Sequence, residues 1–290
     1  MDRRTPLKLL VLGASGMLGS AVFRFFSSSH GYQAFGSIRS TSYLRLFSEE
    51  VRGNLVNLAD AENPDALARL FAEVAPDVVV NCIGLVKQLS SANDPLAAIP
   101  INAILPHRLA QLCRIAGARL VHISTDCVFD GADGNYNESS RPNAYDLYGR
   151  TKLLGEVDYD NAITLRTSII GRELNSAHSL IDWFLSQEGS VRGFTRAIFS
   201  GLPTIELARV IRDFVLPNPA LTGLYHVSAE AISKHDLLKI VAEVYQKAVE
   251  VTPDDTVVID RSLDSSRFRQ ATGYAPPEWQ KLVCDMRNFS

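Results

Sequence analysis

Leu7-Lys8-Leu9-Leu10-Val11-Leu12-Gly13-Ala14-Ser15-Gly16-Met17-Leu18-Gly19 joins an apolar run to a glycine-rich turn. The run reads as a buried strand, and the residues after the turn, through about Ser28, read as a helix. Glycine at 13, 16 and 19 permits a tight turn, close backbone approach to a pyrophosphate, and close packing of helix on strand. The helix start then turns free N–H groups toward an anion. Gly13, Ser15, Gly16, Met17, Leu18 and Gly19 are therefore the expected cradle for the phosphates of a dinucleotide. The spacing is G-x-x-G-x-x-G, not the G-x-G-x-x-G of dinucleotide-binding dehydrogenases in general. A purely structural strand-to-helix turn is the competing reading, and the strand context favours binding.

Working outward, strand-like and helical runs alternate. Tyr32–Gly36 and Gly53–Val56 read as the second and third strands. Pro64 opens a helix through Glu73, and Asp77–Cys82 is an apolar, β-branched run of the fully buried kind. Ile101–Ala116 is expected to be helical with Gly117 as its stop, and Arg119–Ile123 is the fifth strand. Asp130–Tyr145, rich in Gly, Asn, Asp and Ser, reads as a loop. A helix around Tyr148–Lys152 and a sixth strand at Ile163–Arg166 follow. This rhythm predicts an α/β fold, a Rossmann-type doubly wound parallel sheet of order 3-2-1-4-5-6 with its site at the carboxyl ends of the strands. Beyond Ile170 the rhythm loosens. Ser179–Gln187 and Thr204–Leu216 look helical, Leu224–Val227 and Val257–Ile259 look like strands, and Ser233 resembles the cap of a helix to Tyr245. Pro276-Pro277-Glu278-Trp279 begins a last helix. The expected division is a dinucleotide-binding domain over 1–170 and a smaller α/β substrate-binding lobe over 171–290, partly interlaced with the first.

The 290 residues carry a net charge of −3 with acids and bases interspersed. No basic tract suggests a nucleic-acid or membrane surface, and no apolar run is long enough to span a bilayer. Cys82, Cys113, Cys127 and Cys284 are scattered with no C-x-x-C pair, which argues against a metal site or a disulfide framework. The apolar run after Met1-Asp2-Arg3-Arg4 breaks at Gly13 and reads as a strand, not a signal peptide. A cytoplasmic, reduced protein is expected.

Tyr148 and Lys152 stand four apart in Asp146-Leu147-Tyr148-Gly149-Arg150-Thr151-Lys152-Leu153-Leu154-Gly155-Glu156. On a helix that spacing puts phenol and ammonium on one face. A nearby ammonium favours phenolate and lowers a tyrosine pKa from about 10, toward the range where it can trade protons. An acidic residue after the second strand would hold an adenosine ribose and mark NAD. Here that region reads Gly36-Ser37-Ile38-Arg39-Ser40, with no carboxylate. Arg39 suits a 2′-phosphate, so NADP(H) is the expected cofactor; a solvated surface arginine is the competing reading of Arg39.

Gly13–Gly19, Ser124-Thr125-Asp126-Cys127-Val128-Phe129-Asp130-Gly131, Tyr148–Glu156, Ile101-Asn102-Ala103 and Leu165-Arg166-Thr167-Ser168 together resemble the extended short-chain dehydrogenase/reductase family. Within it, they resemble the dTDP-4-dehydrorhamnose reductases and related nucleotide-sugar reductases. The resemblance implies that Tyr148 gives a proton to a ketone oxygen as hydride arrives from NADPH, and that Lys152 lowers the Tyr148 pKa and bonds the nicotinamide ribose. Thr125 is the group expected to hydrogen-bond the carbonyl, with Ser124 as runner-up. Asn81, Cys82 and Gly84, at the end of the fourth strand, are expected beside the cofactor ribose. Asn102 is read equally as a residue facing the site and as a helix-surface amide. A nucleotide-sugar substrate and a homodimer follow as family-level expectations. The chain departs from the family after Asn81, with Cys82-Ile83-Gly84-Leu85-Val86-Lys87-Gln88-Leu89 where small and acidic residues are usual, and at Cys127 where tyrosine is usual.

Other residues receive plainer readings. His122, inside a strand, is expected to be a satisfied sheet histidine, and His107 and His226 lack ligand-spaced partners. Asp126 is expected to bond the loop that follows, and Asp254-Asp255 to form a solvated turn. Trp183 and Trp279 are read as packing anchors. Arg192, Arg196 and Arg261 are distant candidates for a substrate diphosphate. Against the reductase reading stand a nucleotide-sugar epimerase or dehydratase using the same triad, and a non-catalytic NADP-binding regulator like the beta subunit of methionine adenosyltransferase. Cys127 counts against dehydration and Arg39 against a tightly held NAD.

Overall fold

The computed structural model describes residues 5–86, 93–175 and 179–289. Its seven-stranded parallel sheet contains β1 (Leu7–Leu12), β2 (Tyr32–Ile38), β3 (Leu55–Asn57), β4 (Val78–Asn81), β5 (Arg119–Thr125) and β6 (Ala162–Thr167), with the strand Gly223–His226 at its edge. The order is β3-β2-β1-β4-β5-β6 followed by Gly223–His226. The crossover between β3 and β4 reverses the winding beside β1, which places a switch point at the carboxyl ends of β1 and β4.

The chain divides into two compact units. The first comprises Met1–Ser124, Asp146–Thr164 and Ala220–Leu224; the second comprises Thr125–Tyr145, Leu165–Pro219 and Tyr225–Ser290. In the first unit, Leu10, Leu12, Val79 and Leu120 pack with Leu67, Leu70 and Phe71 of the helix Pro64–Val74 and with Leu105, Leu109 and Cys113 of the helix Leu105–Ala116. The other face takes the helix Met17–Ser27. Gly36 lies opposite Val11 in the ladder, and a Cβ there would meet Ala14, Leu55 and Phe23 within 3.0 Å. Cover on both faces explains why Val78-Val79-Val80 is apolar without alternation.

Local signals set the helix ends. Asn63 caps the helix Pro64–Val74 by accepting from the N–H groups of Asp65 and Ala66 at 2.9 and 3.1 Å. Asp146 caps the helix Leu147–Leu154 by accepting from Gly149 N at 2.8 Å. Gly117 ends Leu105–Ala116 in the left-handed region at φ +68°. The run expected as one helix over Ile101–Ala116 is instead a π-helical stretch, Ile99–Ile104, leading into the α-helix. Pro106 has no N–H to offer the Asn102 carbonyl four residues back, so the ordinary ladder cannot run through this point. Gly155 then comes so close that a Cβ on it would lie 1.9 Å from that carbonyl oxygen.

In the second unit the helix Trp279–Phe289 packs on the helices Lys234–Tyr245 and Thr204–Val210. Ser233 caps Lys234–Tyr245 by accepting from Asp236 N at 3.0 Å. A parallel pair, Gly189–Phe194 with Val249–Asp254, was not foreseen in the sequence. The strand expected at Val257–Ile259 begins only at Ile259, where Ile259–Asp260 pairs with Ala197–Phe199. Val257 and Val258 are exposed, and with no apolar surface to cover them their β-branched character does not form a ladder.

Gly155→Ala should lower the free energy of unfolding by about 1–3 kcal/mol, the usual penalty for forcing atoms into a filled contact. Urea denaturation followed by circular dichroism measures it. An unchanged midpoint would show that the two helices separate at no cost.

Candidate active site

The glycine turn is held by β2. Gly13, at φ +82°, donates from its N–H to Ser37 Oγ at 3.0 Å, and Ala14 N donates to Ser37 O at 2.8 Å. Gly19 cannot carry a side chain, because its Cβ would lie 2.1 Å from Gly13 O. Gly16 precedes the helix Met17–Ser27 without a side-chain cap, and no carboxylate sits in the first turn. The backbone donors there have no built-in anion competing for them, so the cradle formed with Ser15, Met17 and Leu18 fits a phosphate group. Arg39 follows the end of β2 and is exposed. Ser37, whose part in fixing the turn was not read from the sequence, sits two residues before it.

At the end of β4, Asn81 is buried, with both the nitrogen and the oxygen of its amide bonded. Its Nδ2 donates to His122 Nδ1 at 3.1 Å and its Oδ1 accepts from Ile83 N at 3.1 Å. The Asn81 amide nitrogen can only donate, which leaves the neutral His122 its proton on Nε2. That buried atom has no hydrogen-bond partner among the described residues, so the histidine expected to be satisfied is bonded at one nitrogen only. Burial holds the His122 pKa well below its ordinary value, and the charges of Lys152 and His107 add to the effect. Burial also pushes the Cys82 thiol up to about 12, against the opposing pull of the Lys152 ammonium. Gly84 lies in the segment after β4 beside Asn102. Lys87-Gln88-Leu89, part of the departure from the family pattern, lie outside the described residues.

Asn102 neither faces outward nor presents a free amide. It is 1% exposed; its Oδ1 accepts from Leu85 N at 2.9 Å, and its Nδ2 donates to Leu85 O at 3.1 Å and Thr151 Oγ1 at 3.3 Å. It ties the segment after β4 to the helix Leu147–Leu154.

Tyr148 and Lys152 lie on that helix, one turn apart. Tyr148 is half-buried. Lys152 is 6% exposed and donates from Nζ to Ile123 O at 2.8 Å. Burial pushes its pKa down to about 8, while Glu156 and, less strongly, Cys82 pull it back up. Ser124, the runner-up for the carbonyl-binding role, gives its hydroxyl to Glu156 Oε1 at 2.6 Å.

Thr125, the last residue of β5, belongs to the second unit. Its Oγ1 donates to Asp126 Oδ1 at 3.2 Å and accepts from Cys127 N at 3.1 Å. Burial raises the Asp126 pKa, opposed by the Arg261 charge and by hydrogen bonds. Cys127 is pushed up to about 12 by burial and then by the Asp126 charge, so it is a thiol and no nucleophile at neutral pH. Arg261 donates to the carbonyls of Phe129 and Asp130 at 2.8 and 3.3 Å, which gives this diphosphate candidate a structural use. Arg192 pairs with Asp254 at 3.1 Å, and Arg196 is exposed. His226 is neutral, its pKa lowered to about 3 by burial and by Arg166, which donates to its Nε2 at 2.8 Å. Arg166 also stands over the Phe129 ring, itself stacked on Tyr136 at 4.1 Å. Trp279 is buried and donates to Glu230 O at 2.7 Å. Among the described residues, no three His, Cys, Asp or Glu side chains gather in a way that could hold a metal ion, and no helix is long and apolar enough to cross a membrane.

The chain belongs to the RmlD substrate binding domain family, whose model matches residues 7–288. It is similar to methionine adenosyltransferase 2 subunit beta of Rattus norvegicus, 33% identical over 82% of this chain and 72% of that protein. It is also similar to a probable low-salt glycan biosynthesis reductase of Haloferax volcanii, 27% identical over 90% of this chain and 85% of that one. Among solved structures, a hypothetical dTDP-4-dehydrorhamnose reductase from Sulfolobus tokodaii superposes with a TM-score of 0.75 at 27% identity, covering 94% of this chain and 98% of that one. A dTDP-4-dehydrorhamnose reductase from Bacillus anthracis in complex with NADP gives a TM-score of 0.80 at 21% identity, covering 100% of both chains.

The Lys152 shift has a signed consequence for stability. Its folded pKa lies below the ordinary lysine value of 10.5, so the folded state gives up its proton first and gains stability as pH rises from about 8 to 10.5. Below pH 8 the burial penalty is fully present. The melting temperature of Lys152→Met relative to the parent should therefore be most favourable below pH 8 and decline steadily toward pH 10.5. A pH-independent difference would contradict the burial of a charged lysine.

Proposed function

We propose that the chain is an NADPH-dependent reductase of a keto nucleotide-diphosphate sugar, of the dTDP-4-dehydrorhamnose reductase kind. The observation that carries this reading is the buried Lys152 ammonium, fixed to the tip of β5 one helical turn from Tyr148. When bound, NADPH supplies the hydride. The turn Gly13–Gly19 holds the pyrophosphate on its N–H groups, and Arg39 pairs with the 2′-phosphate, where its planar fork suits the oxygens. Asn81, Cys82 and Gly84 pass beside the cofactor ribose.

Tyr148 gives its phenolic proton to the ketone oxygen, so that the carbonyl becomes a secondary alcohol. The Lys152 ammonium stabilises the phenolate left behind and bonds the ribose. Thr125 donates a hydrogen bond to the substrate carbonyl and polarises it; this requires its hydroxyl to leave Asp126 Oδ1. Ser124, already bonded to Glu156, is the weaker candidate for that task. The similar reductases of Haloferax volcanii and Sulfolobus tokodaii support the reading, as does the intact Thr125, Tyr148 and Lys152 set.

A second reading has a specific observation behind it. Several relatives bear the name methionine adenosyltransferase 2 subunit beta, which favours a dinucleotide-binding subunit that acts on another chain. The two readings separate on turnover.

A panel of dTDP-, UDP- and GDP-linked keto sugars, followed by NADPH absorbance, should find one that is reduced. Tyr148→Phe should then lower kcat by at least about 100-fold while NADPH affinity survives. Firm NADPH binding with no oxidation by any sugar would favour the subunit reading. In fluorescence titrations NADPH should bind more tightly than NADH, and Arg39→Ala should weaken NADPH roughly 10-fold. Equal affinity for the two cofactors would overturn the role of Arg39.

A further inference from the structure

Two consecutive residues at the tip of β5 grip the Tyr148 helix at two points. The Ile123 carbonyl accepts from Lys152 Nζ at 2.8 Å, and the Ser124 hydroxyl donates to Glu156 Oε1 at 2.6 Å. Lys152 and Glu156 are four residues apart, and Gly155 between them takes the helix C-cap by donating to the carbonyls of Thr151 and Lys152 at 3.2 Å. Glu156 lies just past the end of that helix, and its carboxylate is held in place by a residue of the strand.

Several titratable groups surround the ammonium. Cys82 lies beyond the end of β4, His122 lies on β5, His107 on the helix Leu105–Ala116 acts on His122, and Tyr148 shares the helix of Lys152. At neutral pH Cys82 is a protonated thiol and His122 a neutral ring. The formal negative charge acting on Lys152 thus comes from Glu156, which is also the largest influence opposing its loss of a proton.

We propose that Glu156, anchored by Ser124, is a positioning residue that supplies the counter-charge for Lys152 and keeps it an ammonium during turnover. This reassigns Ser124 from a candidate substrate-binding hydroxyl to the anchor of that carboxylate. The consequence for turnover rests on the reductase reading; the charge coupling rests on the adjacent anchor points of the two side chains and on the influence of the Glu156 charge on Lys152.

The coupling is tested without substrate. Melting temperatures of the parent and of Lys152→Met are compared across pH 7–11, and the comparison is repeated with Glu156→Gln in both. The pH at which the difference begins to decline should fall by about one unit in the Glu156→Gln pair, the low end of the effect of an adjacent opposite charge. Ser124→Ala should move it the same way by less. An unmoved onset with Glu156→Gln would overturn the counter-charge, and an onset moved by Glu156→Gln but not by Ser124→Ala would overturn the anchor.

The kinetic arm uses whichever keto sugar the parent reduces. Glu156→Gln should shift the alkaline limb of kcat/KM to lower pH with the KM for NADPH little changed, and Glu156→Asp should restore it in part. A uniform loss of kcat at all pH values would mark Glu156 as merely structural and overturn the proposal. A parent that reduces nothing would sink the reductase reading, and the stability titration would still decide the coupling.

Discussion

The Lys152 ammonium is buried at the tip of β5 and bonded to the Ile123 carbonyl. Removing an ammonium from water costs several kcal/mol unless partners restore what hydration supplied. Here one carbonyl bonds it and the Glu156 charge favours its proton, together incompletely, which is why burial remains the leading cause of its lowered pKa. Much of the polar chemistry in the first unit is arranged around that charge. Cys82 and His122, on which the Lys152 charge acts, are held neutral by burial. A second cation next to Lys152 would drive it to lose its proton.

A charge buried in this way needs a rigid frame, and the frame is made of backbone as much as side chain. Pro106 interrupts the helical ladder at Asn102, and Gly155 fills the space over the Asn102 carbonyl that a larger residue would contest. The Asn102 side chain meanwhile closes both backbone groups of Leu85. Three segments distant in sequence thus meet: the end of β4, the π-helical stretch and the Tyr148 helix. A π-helical stretch at such a junction is a frequent sign of a functional site, because it aims a residue where the regular helix would not.

The parts legible in the sequence are those written in short range. The glycine turn, the Ser233 cap, the Gly117 stop and the Tyr148–Lys152 spacing each lie within a few residues, and the strand order followed from the alternation of strands and helices. The parts that stayed hidden depend on contacts across long separations. Nothing local tells that Asn102 faces Leu85, 17 residues away, or Thr151, 49 residues away. Val249–Asp254 contains Pro253, which cannot donate to a ladder, but that strand pairs on one side only, where a missing donor is tolerated. Glu156 stayed hidden too, because it lies past the Gly155 cap and is placed by a strand residue 32 positions away, not by helical spacing.

The same electrostatics bear on whether the fold is kept for catalysis or for binding alone. A dinucleotide ribose can be held by neutral donors, which carry little burial penalty once bonded. A lysine buried until its pKa falls to about 8 is a costly way to supply one hydrogen bond. It is a reasonable way to supply a charge, because the low-dielectric surroundings that penalise the ammonium also strengthen its field. A buried charge of this kind, one helical turn from Tyr148, is what the proposed proton transfer requires and what dinucleotide binding alone does not.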